Sequence, residues 1–424
     1  MSFPFAWNEF ADQPHNVAPR RDRLRYHLRH AGGYFGMVAR DLAVAPGALK
    51  RYRAYLKAMH RRPVDVGSPF AVSCARIPGR EADIVEALKS AGIRRTLVRV
   101  PSWERADLAR HASFVSLLRG EGLDVVVALL QRRDDVLDPG GWQGFLADAF
   151  SALAPAASHF EVGHAWNRTK WGVWDWREYL ALARPALELG QKHGVKLVGP
   201  AVIDFEFHLY PPTLRRLPFD KVSSLLYVDR SGAPESAQFG WTLAKKLALW
   251  RAVVDLSLRE PRDCWITEFN WPLEGTGKYS PAPGKPSVSE DAQADYLVRY
   301  FVIGAASGLV ERMYWWQLAA PGYGLIDNRE PAWRRRPSYA ALRTLVRQVE
   351  GSRFEGKAEG VPAEIYYFRR EDEKFAVCWT LRGEVGYSFP GIPSALLDRD
   401  GAVRPAGVGG TIRLYESPQY VFFK

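Results

Sequence analysis

From residue 69 onward, short apolar runs alternate with amphipathic windows. The runs are PFAVSCARI (69–77), RTLVRV (95–100), LDVVVALL (123–130), HFEVGHA (159–165), KLVGPAVI (196–203), KVSSLLYV (221–228), CWITEFN (264–270) and ERMYWWQ (311–317). Such runs are short for helices, rich in β-branched and aromatic residues, and read as strands of a parallel sheet. Between them, windows such as ADIVEALKSAG and WREYLALARPALELGQKHG repeat apolar residues at helical spacing, and SYAALRTLVRQVE follows the last run. Eight strands, seven intervening crossovers and a closing helix predict a (β/α)8 TIM barrel over residues 67–350. Its chemistry is then expected at the C-terminal ends of the strands.

The flanks follow other patterns. Within residues 1–66, the stretch 20–62 places Leu24, Leu28 and Ala31, then Leu49, Tyr52, Leu56 and Met59, at helical spacing among Arg and Lys. It predicts two short basic helices, broken at Gly32-Gly33 and at Pro46-Gly47. Helices of this kind pack on a domain, lie on an anionic membrane surface or meet an acidic partner; packing on the barrel is the preferred reading and peripheral membrane contact the next. Residues 351–424 lose the helical pattern. Segments such as AEIYYFRR, KFAVCWTL and QYVFFK between Gly, Pro and Asp turns predict a small antiparallel β domain, sandwich-like.

Charge sharpens this division. The chain carries a formal +11, and residues 1–66 hold 12 basic against 5 acidic side chains, while residues 351–424 hold 10 of each. The excess basicity belongs mainly to the N-terminal helices, which lack the aromatic interleaving of a nucleic-acid groove, so no nucleic-acid partner is expected. Cys74, Cys264 and Cys378 lie far apart with no CxxC pair or His cluster, and are read as reduced core residues without a metal site. No cofactor is indicated. The start MSFPFAWNEF lacks the apolar core of a secretory signal and no run of about 18 apolar residues occurs, so a cytoplasmic protein, in one reading peripheral to the inner membrane, is the expectation. Oligomeric state is left open. The 15 tryptophans exceed what packing requires, and a Trp face stacks well on the apolar face of a sugar ring.

The strand ends carry the candidate chemistry. WITEFNWP places Glu268 at the end of strand seven beside Asn270 and Trp271. LVRVPSW brings Arg99 to the end of strand two, with Trp103 and Glu104 beyond it, and SLLYV brings Tyr227 to the end of strand six, before Asp229. A guanidinium and a phenol beside a carboxylate favour its ionised form and orient it as a nucleophile. On strand eight Trp315 and Trp316 point to opposite faces, so one of them faces the mouth. After strand four, Asn167, Arg168, Lys170, Trp171, Trp174 and Trp176 bring cations and flat rings together. This suits an acidic or phosphorylated glycan, and it equally suits loop packing ahead of a helix that starts at Asp175.

With these motifs in place, the barrel resembles the clan A retaining glycoside hydrolases, and looks most like their family 39 and family 5 members. ITEFNWP is similar to the clan's strand-seven nucleophile motif, so the resemblance implies Glu268 as nucleophile, with Arg99, Tyr227 and a strand-eight Trp around it. Strand four departs from the clan. Its pattern there is W-E-I-x-N-E-P-N, in which the second Glu is the acid/base and the Asn before it binds the sugar 2-hydroxyl. FEVGHAWN puts His164 at the Asn position and Ala165 at the acid/base position. Glu161 matches only the earlier Glu, about 13 Å lower along the strand.

A retaining mechanism wants two carboxyl groups about 5–5.5 Å apart, and loss of the donor commonly costs about 10²–10⁴-fold. Three rescues are open. Glu206, with Asp204 and His208 as neighbours after strand five, is the preferred relocated acid; His164 is a donor if a neighbouring carboxylate raises its pKa; and a good leaving group needs no acid. The W-N-E triplet at Trp7 to Glu9 lies outside the barrel pattern and is given no catalytic role. Two functions follow: a glycosidase or transglycosidase working through Glu268 on a bacterial-type surface polysaccharide or its precursor, or a carbohydrate-binding pseudoenzyme that lost turnover with Ala165. A third reading makes the chain a membrane-docked partner in envelope polysaccharide assembly.

Overall fold

The computed structural model describes residues 5–15, 19–405 and 411–424. All eight expected strands form, and they close a parallel barrel in sequence order: β1 (Phe70–Cys74), β2 (Arg95–Pro101), β3 (Asp124–Leu130), β4 (His159–Val162), β5 (Lys196–Ile203), β6 (Lys221–Leu225), β7 (Cys264–Phe269) and β8 (Arg312–Trp315). Strand β8 pairs with both β7 and β1, which closes the cylinder. The continuous apolar character of β3, DVVVALL, follows from burial on both faces: Val126, Ala128 and Leu130 fill the interior while Val125, Val127 and Leu129 meet the helices. The architecture is thus a (β/α)8 barrel with a C-terminal β domain.

The helices start and stop by local chemistry. The Trp176–His193 helix begins where the Asp175 carboxylate accepts from the backbone N–H of Arg177 and Glu178, and ends at Gly194 with φ 64°. The crossover between β5 and β6 is an exception, since it holds only a 3-10 turn, Phe207–Leu209, and a five-residue helix, Tyr210–Leu214, whose two prolines sit in the first turn, where a missing N–H breaks no bond of the helix. The N-terminal segment covers this side of the barrel. Its helices are α1 (Arg20–Arg29) and α2 (Ala31–Ala58), and α2 lies along the Leu243–Ser257 helix and against Tyr210–Leu214.

Here the expectation of breaks at Gly32-Gly33 and Pro46-Gly47 is corrected. The chain breaks once, at His30, and α2 runs for 28 residues through both sites. Packing overrides the local signals: at Gly47 a side chain would lie 3.2 Å from Leu256, so glycine permits the close approach, and Tyr55 donates to Asp255 on the same neighbouring helix. No described helix is long and apolar enough to cross a membrane.

After the closing helix Pro337–Val349, the chain builds a seven-stranded antiparallel sheet and a separate two-stranded one. The edge of the larger sheet is Val64–Asp65, which pairs with Arg353 and Phe354 and so belongs to residues that precede the barrel. Arg299 on a barrel helix, ion-paired with Glu235, reaches the carbonyls of Thr380 and Glu416, and Trp379 donates to Glu235 at 2.6 Å. The β domain thereby fastens to the barrel through Arg299 and through Glu235 in the loop after β6. Cys74, Cys264 and Cys378 are buried and unpaired.

Candidate active site

Four strand ends converge on Glu268. The residue is 6% exposed at the end of β7. Tyr227 donates to Oε1 at 2.5 Å, the Arg99 guanidinium donates to Oε2, and His164 Nε2 lies 3.2 Å from the same oxygen. Burial alone would raise the pKa of this carboxyl. Arg99 above all, then His164 and Tyr227, outweigh burial and hold it at about 2, so Glu268 is ionised at neutral pH. The phenol of Tyr227, buried and next to that charge, is pushed well above its ordinary value and stays a donor.

His164 takes the opposite shift. Burial, then Arg99, pull its ring down to about 4 against the pull of Glu268. Neutral at pH 7, it either accepts from Arg99, 3.0 Å away, or donates to Glu268. The condition set for His164 as proton donor, a pKa raised by a carboxylate, is therefore not met. The face of the Trp316 ring meets the Arg99 guanidinium, with Cζ 3.3 Å from the ring centroid, so Trp316 is the strand-eight tryptophan of the mouth. Trp315 and Trp271 instead stack on each other at 6.1 Å in the layer between barrel and helices, and Trp271 donates to Gly232. The structure does not bring these two to Glu268. Asn270 donates to the Trp316 carbonyl and fixes the turn between β7 and that ring.

Glu161 lies one layer down, 1% exposed, beside Thr267 and Ser223. Burial, helped by the Glu268 charge, raises it to about 7. The loop after β4 is clamped from several sides. Gln131 at the end of β3 accepts from the His164 N–H and donates to the carbonyls of His164 and Trp171, while both ends of the Asn167 amide bond the Ile203 backbone. Ala165 is fully buried with φ 41°, inside the barrel cluster that includes Trp171.

Of the other candidates, Glu206 and Asp204 both pair with Arg168, so Arg168 rather than Glu268 is their partner. Glu104 meets His111 at 2.8 Å, Asp229 bonds the backbone of Arg230, and His208 is exposed on the turn after β5. Trp171 packs edge-on against His164 at 4.5 Å.

The residues that the sequence reading passed over come from the N-terminus. Trp7–Asn8 and Gln13–Pro14 form a small hairpin across the barrel mouth. Trp7 rests on Trp103 at 5.0 Å and on Trp171 at 5.9 Å, and Phe5 lies 4.6 Å from Trp103. The side chain of Asp12 accepts from Arg99 Nη1 at 3.1 Å, and its backbone carbonyl accepts from the same atom at 3.0 Å. Lys170 donates to the Gln13 side chain, and Gln13 donates to the Pro281 carbonyl. The available signal was aromatic: Phe5, Trp7 and Phe10 fall within six residues that fit no helical or strand period.

No protein-family model matches the chain, and no curated protein matches its sequence. Solved structures match its shape. A family 39 glycoside hydrolase from the gut symbiont Bacteroides cellulosilyticus WH2 superposes with a TM-score of 0.68 at 17% identity, over 85% of this chain and 82% of the other. A GH30 endoxylanase from Clostridium papyrosolvens C71 gives 0.56 at 10% identity, over 87% and 98%. A GH51 arabinofuranosidase from Xanthomonas axonopodis pv. citri gives 0.55 at 12% identity, over 87% and 97%. At these identities the likeness is one of fold, a barrel shared with glycoside hydrolases.

Proposed function

We propose that the protein is a carbohydrate-active barrel in which Glu268 attacks an anomeric carbon, as a retaining glycosidase or transglycosidase with a non-standard acid. One observation carries the reading: a buried carboxylate at the end of β7, held ionised and oriented by Arg99 and Tyr227. In the first step a Glu268 oxygen bonds to the anomeric carbon as the bond to the leaving oxygen breaks. In the second, water or a sugar hydroxyl displaces Glu268 and restores the carboxylate. The leaving oxygen needs a proton unless it departs as a stable anion, and Ala165 offers none.

Glu206 is the relocated acid in this proposal, and must leave Arg168 to serve. The same alanine supports the alternative, a sugar-binding barrel without turnover. A 2,4-dinitrophenyl glycoside panel separates the two, because its leaving group needs no acid. A covalent glycosyl-protein seen by intact mass and lost in Glu268→Gln supports the enzyme. No adduct, with glycan binding that Trp316→Ala weakens, supports the binding reading. For Glu206→Gln, turnover should fall on poor leaving groups alone; equal loss on good and poor ones rejects the acid role.

Docking on an anionic bilayer, at the cytoplasmic face of the inner membrane, is the second part of the proposal. Leu24 and Leu28 on α1, with Phe35, Val38, Leu42 and Leu49 on α2, expose an apolar stripe on the side turned away from the barrel, Phe35 being 76% exposed. Arg21, Arg25, Arg29 and Lys50 are exposed beside it. Apolar insertion together with cationic flanks is what an interfacial helix uses on anionic lipid. Sedimentation with phosphatidylglycerol vesicles, but not with phosphatidylcholine vesicles, is expected, and Phe35→Glu with Leu42→Glu should abolish it. Unchanged sedimentation of that variant rejects the proposal.

A further inference from the structure

The residues around Glu268 are arranged for a ligand, yet they are almost wholly covered. Glu268, Arg99, Trp316 and His164 are 6%, 7%, 4% and 3% exposed. What covers them is the chain's own N-terminal strap, residues 5–15, and its hold is of a particular kind. Its two strands pair only with each other and join no strand of the barrel. A hairpin of this size has little stability of its own. It is held on the mouth by side chains: Asp12 on Arg99, Gln13 on Lys170 and Pro281, Trp7 on Trp103 and Trp171, and Phe10 edge-on to Tyr279 at 4.8 Å.

Charge accounts for the choice of Asp12. Among the described residues Arg99 is the cation bonded to Glu268, through Nη2, while its Nη1 is given to the two Asp12 oxygens. Lys170 also feels Glu268 and Arg99, and burial lowers its pKa to about 8, which still leaves it mostly cationic at pH 7. With the strap in place, Arg99 and Lys170 face Glu268 and the side chain of Asp12, whose pKa burial raises. With the strap lifted, the pocket has one positive charge in excess and an Arg99 edge that asks for an acceptor. The hydroxyls of a neutral sugar can accept from Arg99 but leave the charge uncompensated; a sugar carrying one carboxylate would satisfy both.

We infer that the strap is a displaceable occupant of the Glu268 pocket, and that Asp12 holds on Arg99 the place taken by the carboxylate of an acidic sugar. The inference rests on reading that pocket as a sugar site, and it names the regulation of the site and its substrate class. Opening requires the ligand to compete with a tethered carboxylate, so the closed protein binds weakly and the loosened one binds tightly.

Calorimetric titration of the full chain with D-glucuronate and D-galacturonate, against D-glucose and D-galactose, tests this. Asp12→Ala should bind at least one uronate tenfold or more tighter than the wild type does, with no such gain for the neutral sugars. In the wild type, that uronate should speed amide exchange in residues 5–15 and leave the barrel strands unchanged. Trp7→Ala, which loosens the strap without touching Arg99, should give the same direction, and it decides the matter if Asp12→Ala does not fold. Unchanged or weaker uronate binding in the folded variants, an equal gain for neutral sugars, or unmoved exchange overturns the inference. So does an Asp12→Ala variant with unaltered binding and lost turnover, which would make Asp12 a proton donor. All these readouts except the last are of binding, so a Glu268 that forms no covalent adduct would refute the enzyme reading and leave them standing.

Discussion

Glu161→Gln should stabilise the protein, and only above the pH at which an ordinary glutamate ionises. Glu161 is 1% exposed below Glu268, and burial with help from the Glu268 charge raises its pKa from 4.5 to about 7. In the unfolded chain the carboxyl releases its proton near 4.5, while the folded barrel keeps it until about 7. Between those values the folded state binds more protons than the unfolded state, so stability falls as pH rises, and the loss is complete above 7. At 1.36 kcal/mol per pKa unit the deficit reaches about 3 kcal/mol. Glutamine mimics the protonated carboxyl in shape and keeps donor and acceptor for Thr267 and Ser223, so it removes the deficit without opening a cavity. An unfolding entropy of about 2.1 cal/mol/K per residue makes 3 kcal/mol worth about 3 °C in a chain of 424 residues. Scanning calorimetry at pH 4.5, 6, 7 and 8 should show equal melting at the lowest pH and a gap that widens to that size by pH 8. In a Glu268→Gln background the gap should shrink, because one cause of the raised pKa is gone. A gap that does not change with pH, or a variant increasingly less stable above pH 6, would refute the reasoning.

Other perturbations act on the same cluster. Arg99→Met removes the cation that most lowers Glu268, so the acid limb of glycosyl-adduct formation should move to higher pH, and breaking a buried pair should cost about 3–5 kcal/mol in urea unfolding. An unshifted acid limb would mean that Arg99 does not set the charge of Glu268. Tyr227→Phe deletes one hydrogen bond to that carboxylate, and the adduct rate should fall about tenfold with the fold intact by circular dichroism. Gly172→Ala should destabilise by about 2 kcal/mol or more: φ there is 92°, and a methyl group would sit 2.3 Å from the Arg133 backbone nitrogen. Urea midpoints of that variant and of Gly194→Ala, which also has positive φ but open space, separate the clash from the dihedral cost.

The sequence by itself determined the barrel and the centre of its mouth. Strands of a parallel barrel are buried on both faces, so each is written as an unbroken apolar run, and the residue where each run ends is the residue that reaches the mouth. That is why Glu268, Arg99, Tyr227 and His164 could be brought together from four separate segments. Tertiary structure decided the rest. Which of Trp315 and Trp316 faces the mouth was a choice of side, made by packing against Phe269 and Trp271. The course of α2 through Pro46 and Gly47 was set by its contact with the Leu243–Ser257 helix, against its own breakers. The placement of Asp12 on Arg99, across 87 residues, left no periodic trace at all. Periodicity records only what each stretch buries. A pairing between distant segments depends on the surface that the rest of the chain has already built, and that surface exists only in the folded molecule.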